Sequence, residues 1–192
     1  MTNFEFKARL ENFARVRQVL QQRRAHFAGV LRQTDTYFLV PNGRLKLRET
    51  RRHGPAEGKI EVNSQLIFYQ RADAAALKRS DYSIVNLDRA EDLHEILAAA
   101  LGRQIVIKKS RELFLLGYEG AVANEGEIHI RIHLDRVEEL GDFIEVEALA
   151  NGVISSERAE QTAQALLEEF GIAKKDLMAG SYSDLLSEKR AT

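Results

Sequence analysis

Two short segments of the chain concentrate side chains of opposite charge. The first carries five basic residues between positions 44 and 52, with only Glu49 among them. The second carries six acidic residues between positions 135 and 147, opposed by Arg136 alone. Arginine and lysine bind phosphate oxygens well, and carboxylates are the ligands that hard divalent cations prefer. Blocks of opposite sign on one small chain therefore indicate that a polyanion is held, together with a metal ion.

The charged residues alternate with apolar ones, which is typical of strands that have one polar and one apolar face. Four segments show this pattern, at positions 3–7, 44–48, 128–135 and 143–147. For any single strand, the ordinary explanation is a sheet face that meets water. Four such strands together favour a sheet that curls into a barrel, with the charged faces converging on a lumen and the apolar faces outward under helices.

Hydrophobic periodicity and turn residues predict the elements that would position these faces. Helices are expected at 12–27, 90–101, 155–170 and 181–189. After an opening strand around Phe4 and Phe6, strands are expected at 33–40, 44–50, 64–71, 127–137 and 142–148, with one or two more over 104–116. Long antiparallel partners without regular strand–helix alternation indicate an α+β fold rather than a doubly wound one. We expect about eight strands in a closed or nearly closed antiparallel β-barrel with helices packed outside, as one domain over residues 1–192 whose tail is mobile from about residue 187.

Composition excludes several classes of protein. The 192 residues include no cysteine, which excludes disulfides, thiolate metal sites and a catalytic cysteine. The 28 basic and 29 acidic residues give a net charge of −1, which argues against a general nucleic-acid binder. No apolar run approaches the ~20 residues of a membrane helix, and the first ten residues lack a secretory apolar segment. We therefore expect a cytoplasmic protein that binds neither nucleic acid nor membranes.

Five motifs, taken in order, resemble the CYTH superfamily, also called triphosphate tunnel enzymes, which includes class IV adenylyl cyclases and thiamine triphosphatases. Residues 3–7 are similar to the family's ExExK signature, 33–38 to its second strand, 45–48 to its basic third strand and 109–111 to a later basic pair. The most specific match is 134–147, LDRVEELGDFIEVE, and the resemblance continues to the tail at 181–186.

The resemblance implies an eight-stranded antiparallel tunnel that binds a triphosphate with one or two divalent metal ions, Mg²⁺ or Mn²⁺. The implied phosphate-binding residues are Lys7, Lys46, Arg48, Arg71, Lys109, Arg111 and Arg131. The implied metal ligands are Glu5, Asp135, Glu145 and Glu147, of which Asp135 and Glu145 would be catalytic, Asp135 either as a ligand or by orienting the nucleophile. Asn3 stands where the family has its first glutamate, so the metal site carries less negative charge.

The sequence leaves the reaction open. Attack by water would hydrolyse a nucleoside, thiamine or inorganic triphosphate, and attack by a ribose 3′-hydroxyl would convert ATP to cyclic AMP and pyrophosphate. Alternatives are a non-catalytic binder of nucleotides or polyphosphate with a weakened metal site, and a purely structural protein. The class IV cyclases of the family suggest a homodimer. His129 and His133 would be about 13 Å apart on one strand, too far for one ion, so tunnel lining or surface is the expected place for both.

Overall fold

The computed structural model describes residues 2–53, 60–70, 78–119, 122–123, 129–150 and 156–191. These ranges contain the strands β1 (Thr2–Arg9), β2 (His26–Phe38), β3 (Arg44–His53), β4 (Ile60–Gln70), β5 (Lys78–Leu87), β6 (Arg103–Leu116), β7 (Tyr118–Glu119), β8 (Val122–Ala123), β9 (His129–Val137) and β10 (Gly141–Ala150). The α-helices are α1 (Ala14–Gln22), α2 (Ala90–Leu101), α3 (Ser156–Phe170) and α4 (Tyr182–Ala191). None of these helices has the length and apolarity that a membrane crossing requires.

Eight strands form one antiparallel sheet in the order β1-β10-β9-β6-β2-β3-β4-β5, and β7 pairs only with β8. The sheet curls until its outer strands lie side by side, with three residue pairs between β1 and β5. Every other junction has seven or more pairs. The prediction of an α+β fold built on an eight-stranded antiparallel sheet is confirmed, and the junction of its two edges is brief.

The main hydrophobic core lies outside the curled sheet, between β1, β9 and β10 and the helices α1 and α3. Alternate residues of each strand point to this side, because successive side chains of a strand face opposite ways. The core includes Phe6 and Ala8 of β1, Ile132 and Leu134 of β9, Ile144 and Val146 of β10, Val16 and Leu20 of α1, and Ala163, Leu166, Leu167 and Phe170 of α3. The apolar faces of these three strands therefore lie under helices, and their charged faces are left to the interior.

A second apolar cluster packs at one end of the sheet, where α4 begins. It joins tyrosines of β2 and β4 to Phe143, Tyr182 and Leu186. The Phe143 and Tyr182 rings are 5.0 Å apart between centroids. Beyond residue 187, where the sequence predicts a mobile tail, α4 continues to Ala191 and its Lys189 and Arg190 contact Glu139. The first turn of α4 is thus anchored inside the end of the sheet.

Several elements differ from the sequence prediction, among them α1 and β5. The helix predicted over 12–27 ends at Gln22, because Arg24 adopts a positive φ of 53° that breaks the helix and the chain turns into β2 at His26. The apolar residues after it pair with β6, as Phe27 does with Phe114, instead of completing a helix face. Strand β5 was not predicted, since its local pattern is weak and its pairing with β4 is visible only in three dimensions.

The outward-facing core gives a test of the fold with one substitution made at two sites. Val146 is 0% exposed, so Val146→Ala removes two buried carbons and leaves a cavity. We expect it to lower the free energy of unfolding by about 2–3 kcal/mol in urea denaturation. Val62 is 69% exposed on β4, and Val62→Ala should cost less than about 0.5 kcal/mol. Equal effects of the two substitutions on the free energy of unfolding would contradict the placement of Val146 in the core and of Val62 on the surface.

Candidate active site

The polar faces of the strands surround an interior cavity of about 520 Å³. Side chains from all eight strands of the sheet line it, together with Ser181 and Tyr182 at the start of α4. The basic lining residues are Lys7, Lys46, Arg48, Arg52, Lys109, Arg111 and Arg131, and the acidic ones are Glu5, Asp35, Glu145 and Glu147. Basic groups therefore outnumber acidic ones on this surface by three, which makes the cavity attractive to a polyanion.

The two signs of charge occupy different walls. Lys46 and Arg48 come from β3, while Glu145 and Glu147 come from β10, four strands away in the eight-strand order. In a curled sheet of eight strands, two strands that are four positions apart lie across the interior from each other. The cavity thus has a basic wall around β2, β3 and β6, and an acidic wall around β1 and β10.

The basic wall is organised by one buried carboxylate, Asp35 of β2. Arg48 donates two hydrogen bonds to it, at 2.6 and 2.7 Å. Lys46 Nζ donates a third at 3.1 Å, and Lys109 Nζ lies 3.9 Å from Asp35 Oδ2. Three cations therefore share one anion and keep unused N–H donors beside the cavity. The sequence analysis missed Asp35 as a site residue, although the alternation of Gln33, Asp35 and Tyr37 on β2 could have indicated it.

The pKa values on this wall reflect its excess of positive charge. Burial alone would raise the pKa of the Asp35 carboxyl, but Arg48, Lys46 and Lys109 hold it well below its usual range. Burial and the nearby guanidinium groups of Arg111 and Arg48 push the pKa of Lys109 well below its usual value. A bound anion would offset this repulsion, because opposite charge stabilises the ionised amine.

Arg111 connects the basic wall to the acidic one. It donates two hydrogen bonds of 2.6 Å to Asp135 and a further short one to Glu145. Asp135 is 0% exposed and lies behind Arg111, where it also accepts a hydrogen bond of 2.8 Å from the Tyr182 hydroxyl. Burial and the neighbouring carboxylates, Asp135 first, raise the pKa of Tyr182 well above its usual value, so its hydroxyl stays a donor.

The acidic wall holds the residues that could bind a cation. Glu5 and Glu147 are directly opposite each other in the β1–β10 register, a like-charge pair that a cation would stabilise. His133, Glu145 and Glu147 each offer one ligand atom, and these atoms lie within 4.8 Å of one another. Burial and then Arg111 lower the pKa of His133, which keeps its imidazole neutral and able to act as a ligand. The two carboxylates and one imidazole of this cluster are a donor set that fits a divalent metal ion.

The structure brings together most of the predicted site residues. Lys7, Lys46, Arg48, Lys109, Arg111, Arg131, Glu5, Glu145 and Glu147 all line the cavity, although the Arg131 side chain is 46% exposed. Asp135 lies behind the wall, and Arg71 lies outside the described residues. Tyr182 is a cavity residue to which the sequence analysis gave no role, and Lys7 Nζ sits 4.1 Å from its ring centroid. The functional roles of all these residues remain predictions.

Comparison with known proteins places the chain in a family. A family model described as the CYTH domain matches residues 1–182. The chain belongs to the CYTH family. Among curated proteins, none matches its sequence significantly.

Several solved structures share the fold of this CYTH chain but little of its sequence. The PH1012 protein from Pyrococcus horikoshii has a TM-score of 0.71 and 21% identity, covering 95% of this chain and 98% of that one. A candidate adenylate cyclase from Vibrio parahaemolyticus has a TM-score of 0.68 and 19% identity over 97% and 98% of the two chains. The Hippeastrum protein HpAC1, a candidate adenylyl cyclase described with a dominant triphosphatase activity, has a TM-score of 0.61 and 11% identity over 99% and 96%. These similarities show that the chain shares the fold of these proteins.

The buried pair of Asp135 and Arg111 predicts a pH-dependent stability. Burial alone would raise the pKa of Asp135, but Arg111 and Lys109 bring it to about 2. In the unfolded chain it is about 4. The pairing therefore stabilises the fold fully above about pH 4 and is lost as the pH falls towards 2.

We expect Asp135→Asn to lower the free energy of unfolding by about 2–3 kcal/mol at pH 7, because it removes one of the two carboxylates that pair with the buried Arg111 guanidinium. Urea denaturation between pH 7 and pH 3 should show that the difference in free energy of unfolding between Asp135→Asn and the wild type becomes smaller below about pH 4. Asp142→Asn is the control, since its partner Arg136 has a side chain 67% exposed. A difference in free energy of unfolding that stays constant with pH would contradict the role given to Asp135.

Proposed function

We propose that this protein carries out divalent-metal-dependent phosphoryl chemistry on a triphosphate bound in the cavity, as a class IV adenylyl cyclase-like enzyme or a triphosphatase. The observation that carries the proposal is the pair of opposed walls, with Lys46 and Arg48 facing Glu145 and Glu147 across one cavity. Such an arrangement has positions for a polyanion on one side and for its counter-cation on the other. Membership of the CYTH family supports the same reading.

The basic wall would hold the phosphate oxygens. Lys46, Arg48 and Lys109 are fixed around Asp35 and carry more donors than that one carboxylate accepts. They would approach the phosphates without reorganisation at the moment of reaction, which is how fixed donors stabilise developing charge. Lys7, Arg111 and Arg131 would extend the contacts towards the acidic wall, and Arg71 keeps its predicted role as a further phosphate contact.

The acidic wall would hold Mg²⁺ or Mn²⁺ through Glu5, Glu145 and Glu147. When bound, the ion would neutralise the developing charge on the phosphates and polarise a water molecule. Glu145 and Asp135 are the predicted catalytic residues. The position of Asp135 behind Arg111 favours orientation over metal ligation, because Arg111 and Tyr182 already donate to its oxygens. Asp135 is then a positioning residue for Arg111.

The nucleophile decides which reaction occurs. Water that attacks the terminal phosphorus releases phosphate and leaves a diphosphate. A ribose 3′-hydroxyl that attacks the α-phosphorus of ATP gives cyclic AMP and releases pyrophosphate. The triphosphatase activity described for HpAC1 supports including hydrolysis among the outcomes.

Product analysis tests the proposal directly. The full chain is incubated with ATP, thiamine triphosphate and inorganic tripolyphosphate, each with Mg²⁺, with Mn²⁺ or with a chelator, and the products are separated. We expect metal-dependent release of phosphate, pyrophosphate or cyclic AMP from at least one substrate, and a loss of at least about a hundredfold in Glu147→Gln. Glu138→Gln, at an exposed position, is the matched control. Binding of a triphosphate without any product would indicate the non-catalytic alternative instead.

A second experiment separates binding from chemistry. Arg48→Ala removes two charged hydrogen-bond donors from the basic wall. We expect it to weaken triphosphate binding, measured by calorimetry with the metal omitted, by about ten- to a hundredfold. Arg51→Ala is the matched control, because Arg51 is exposed and three residues along the same strand. Loss of affinity in both variants, or in neither, would contradict the assignment of Arg48.

A further inference from the structure

His133 carries an unexplained polar atom on the acidic wall. Its side chain is 6% exposed, and its Nδ1 has no hydrogen-bond partner among the described residues. Buried nitrogen atoms in folded proteins nearly always have one. The nearest carboxylate oxygens, Glu145 Oε2 and Glu147 Oε1, are each 3.7 Å from Nδ1. That distance is too long for a hydrogen bond.

The same distance suits a shared cation. Divalent ions bind nitrogen and oxygen ligands at about 2.1 Å, so two ligand atoms of one ion can be up to about 4.2 Å apart. Both contacts of His133 Nδ1 fall inside this limit. His133 and Glu145 are also directly opposite each other in the β9–β10 register, which keeps the two side chains side by side.

Among the residues that the structure describes, none is a hydrogen-bond partner of His133 Nδ1, whereas both oxygens of Glu145 contact cationic side chains. Glu145 Oε1 lies 3.1 Å from Lys7 Nζ, and Glu145 Oε2 accepts a short hydrogen bond from Arg111. A metal ion would compete with both cations for Glu145. The orphaned His133 nitrogen offers a ligand without such competition.

We propose that His133 is a direct ligand of the divalent cation on the acidic wall, which makes this a mixed nitrogen and oxygen site that prefers a first-row transition ion to Mg²⁺. The inference rests on the proposed function in placing a cation there. Imidazole binds transition ions well, whereas Mg²⁺ prefers oxygen ligands alone. The sequence analysis set His133 aside because its distance from His129 excludes a shared ion. The residues that would share the ion with His133 are Glu145 and Glu147 of β10.

Direct binding of metal ions to the full chain, without any triphosphate, tests the assignment. Co²⁺ is titrated by visible absorption and Mg²⁺ by calorimetry, in the wild type, His133→Asn and His129→Asn. His129 is on the same strand, about 13 Å away by strand rise, and serves as the control. We expect Co²⁺ to bind the wild type more tightly than Mg²⁺, and His133→Asn to weaken Co²⁺ binding at least about tenfold. His129→Asn should leave it unchanged. Unchanged Co²⁺ affinity in His133→Asn would overturn the proposal.

A measurement on the unmodified chain keeps the test valid if His133→Asn fails to fold. Electron spin echo of bound Mn²⁺ should show the nitrogen modulation of a directly coordinated imidazole, and its absence would overturn the proposal. Product analysis separates the two hypotheses. Turnover of a triphosphate without any dependence of Co²⁺ binding on His133 rejects the ligand assignment alone. Co²⁺ binding through His133 without turnover supports the assignment and rejects the proposed reaction.

Discussion

Charged side chains removed from water cost free energy unless they are paired, and this chain places a whole set of them inside its sheet. Asp35 with Arg48, and Asp135 with Arg111, are the fixed pairs around which the other charges are arranged. Each pair joins residues directly opposite each other on two neighbouring strands, so the pairing also constrains how the sheet curls. The interior can remain polar because these contacts hold the charges in place.

The same alternation of residues serves both stability and the site. In β1, β9 and β10 one face packs under α1 and α3 in the main core, and the other face carries Lys7, His133 and Glu145 into the cavity. A shift of one residue in any of these strands would exchange the two faces. The hydrophobic core therefore fixes the register that brings the charged groups together, although it lies on the opposite side of the sheet.

Local patterns predicted the parts of the site that depend on strand periodicity. Lys46 and Arg48 could be assigned to one face because they alternate with leucines, and the cavity contains both. Asp35 was not predicted as a site residue, because its role depends on three cationic side chains that come from other strands. His133 was not predicted as a ligand for the same reason, since the pairing of β9 with β10 brings Glu145 and Glu147 close to it. Strand β5 shows the limit for the fold, because its pairing with β4 and β1 defines it and its local sequence pattern does not.

The arrangement of Glu145 links the two walls energetically. Its two oxygens are engaged by Lys7 and Arg111, which are also cations that a phosphate would attract. Under the proposed function, a polyanion that drew either cation away would free an oxygen of Glu145 for a metal ion, and a metal ion on Glu145 would free the cation for phosphate. By thermodynamic linkage, each ligand must then raise the affinity of the other by the same factor. Under the proposed function, the opposed walls would be one coupled system, linked through the contacts of Glu145 with Lys7 and Arg111.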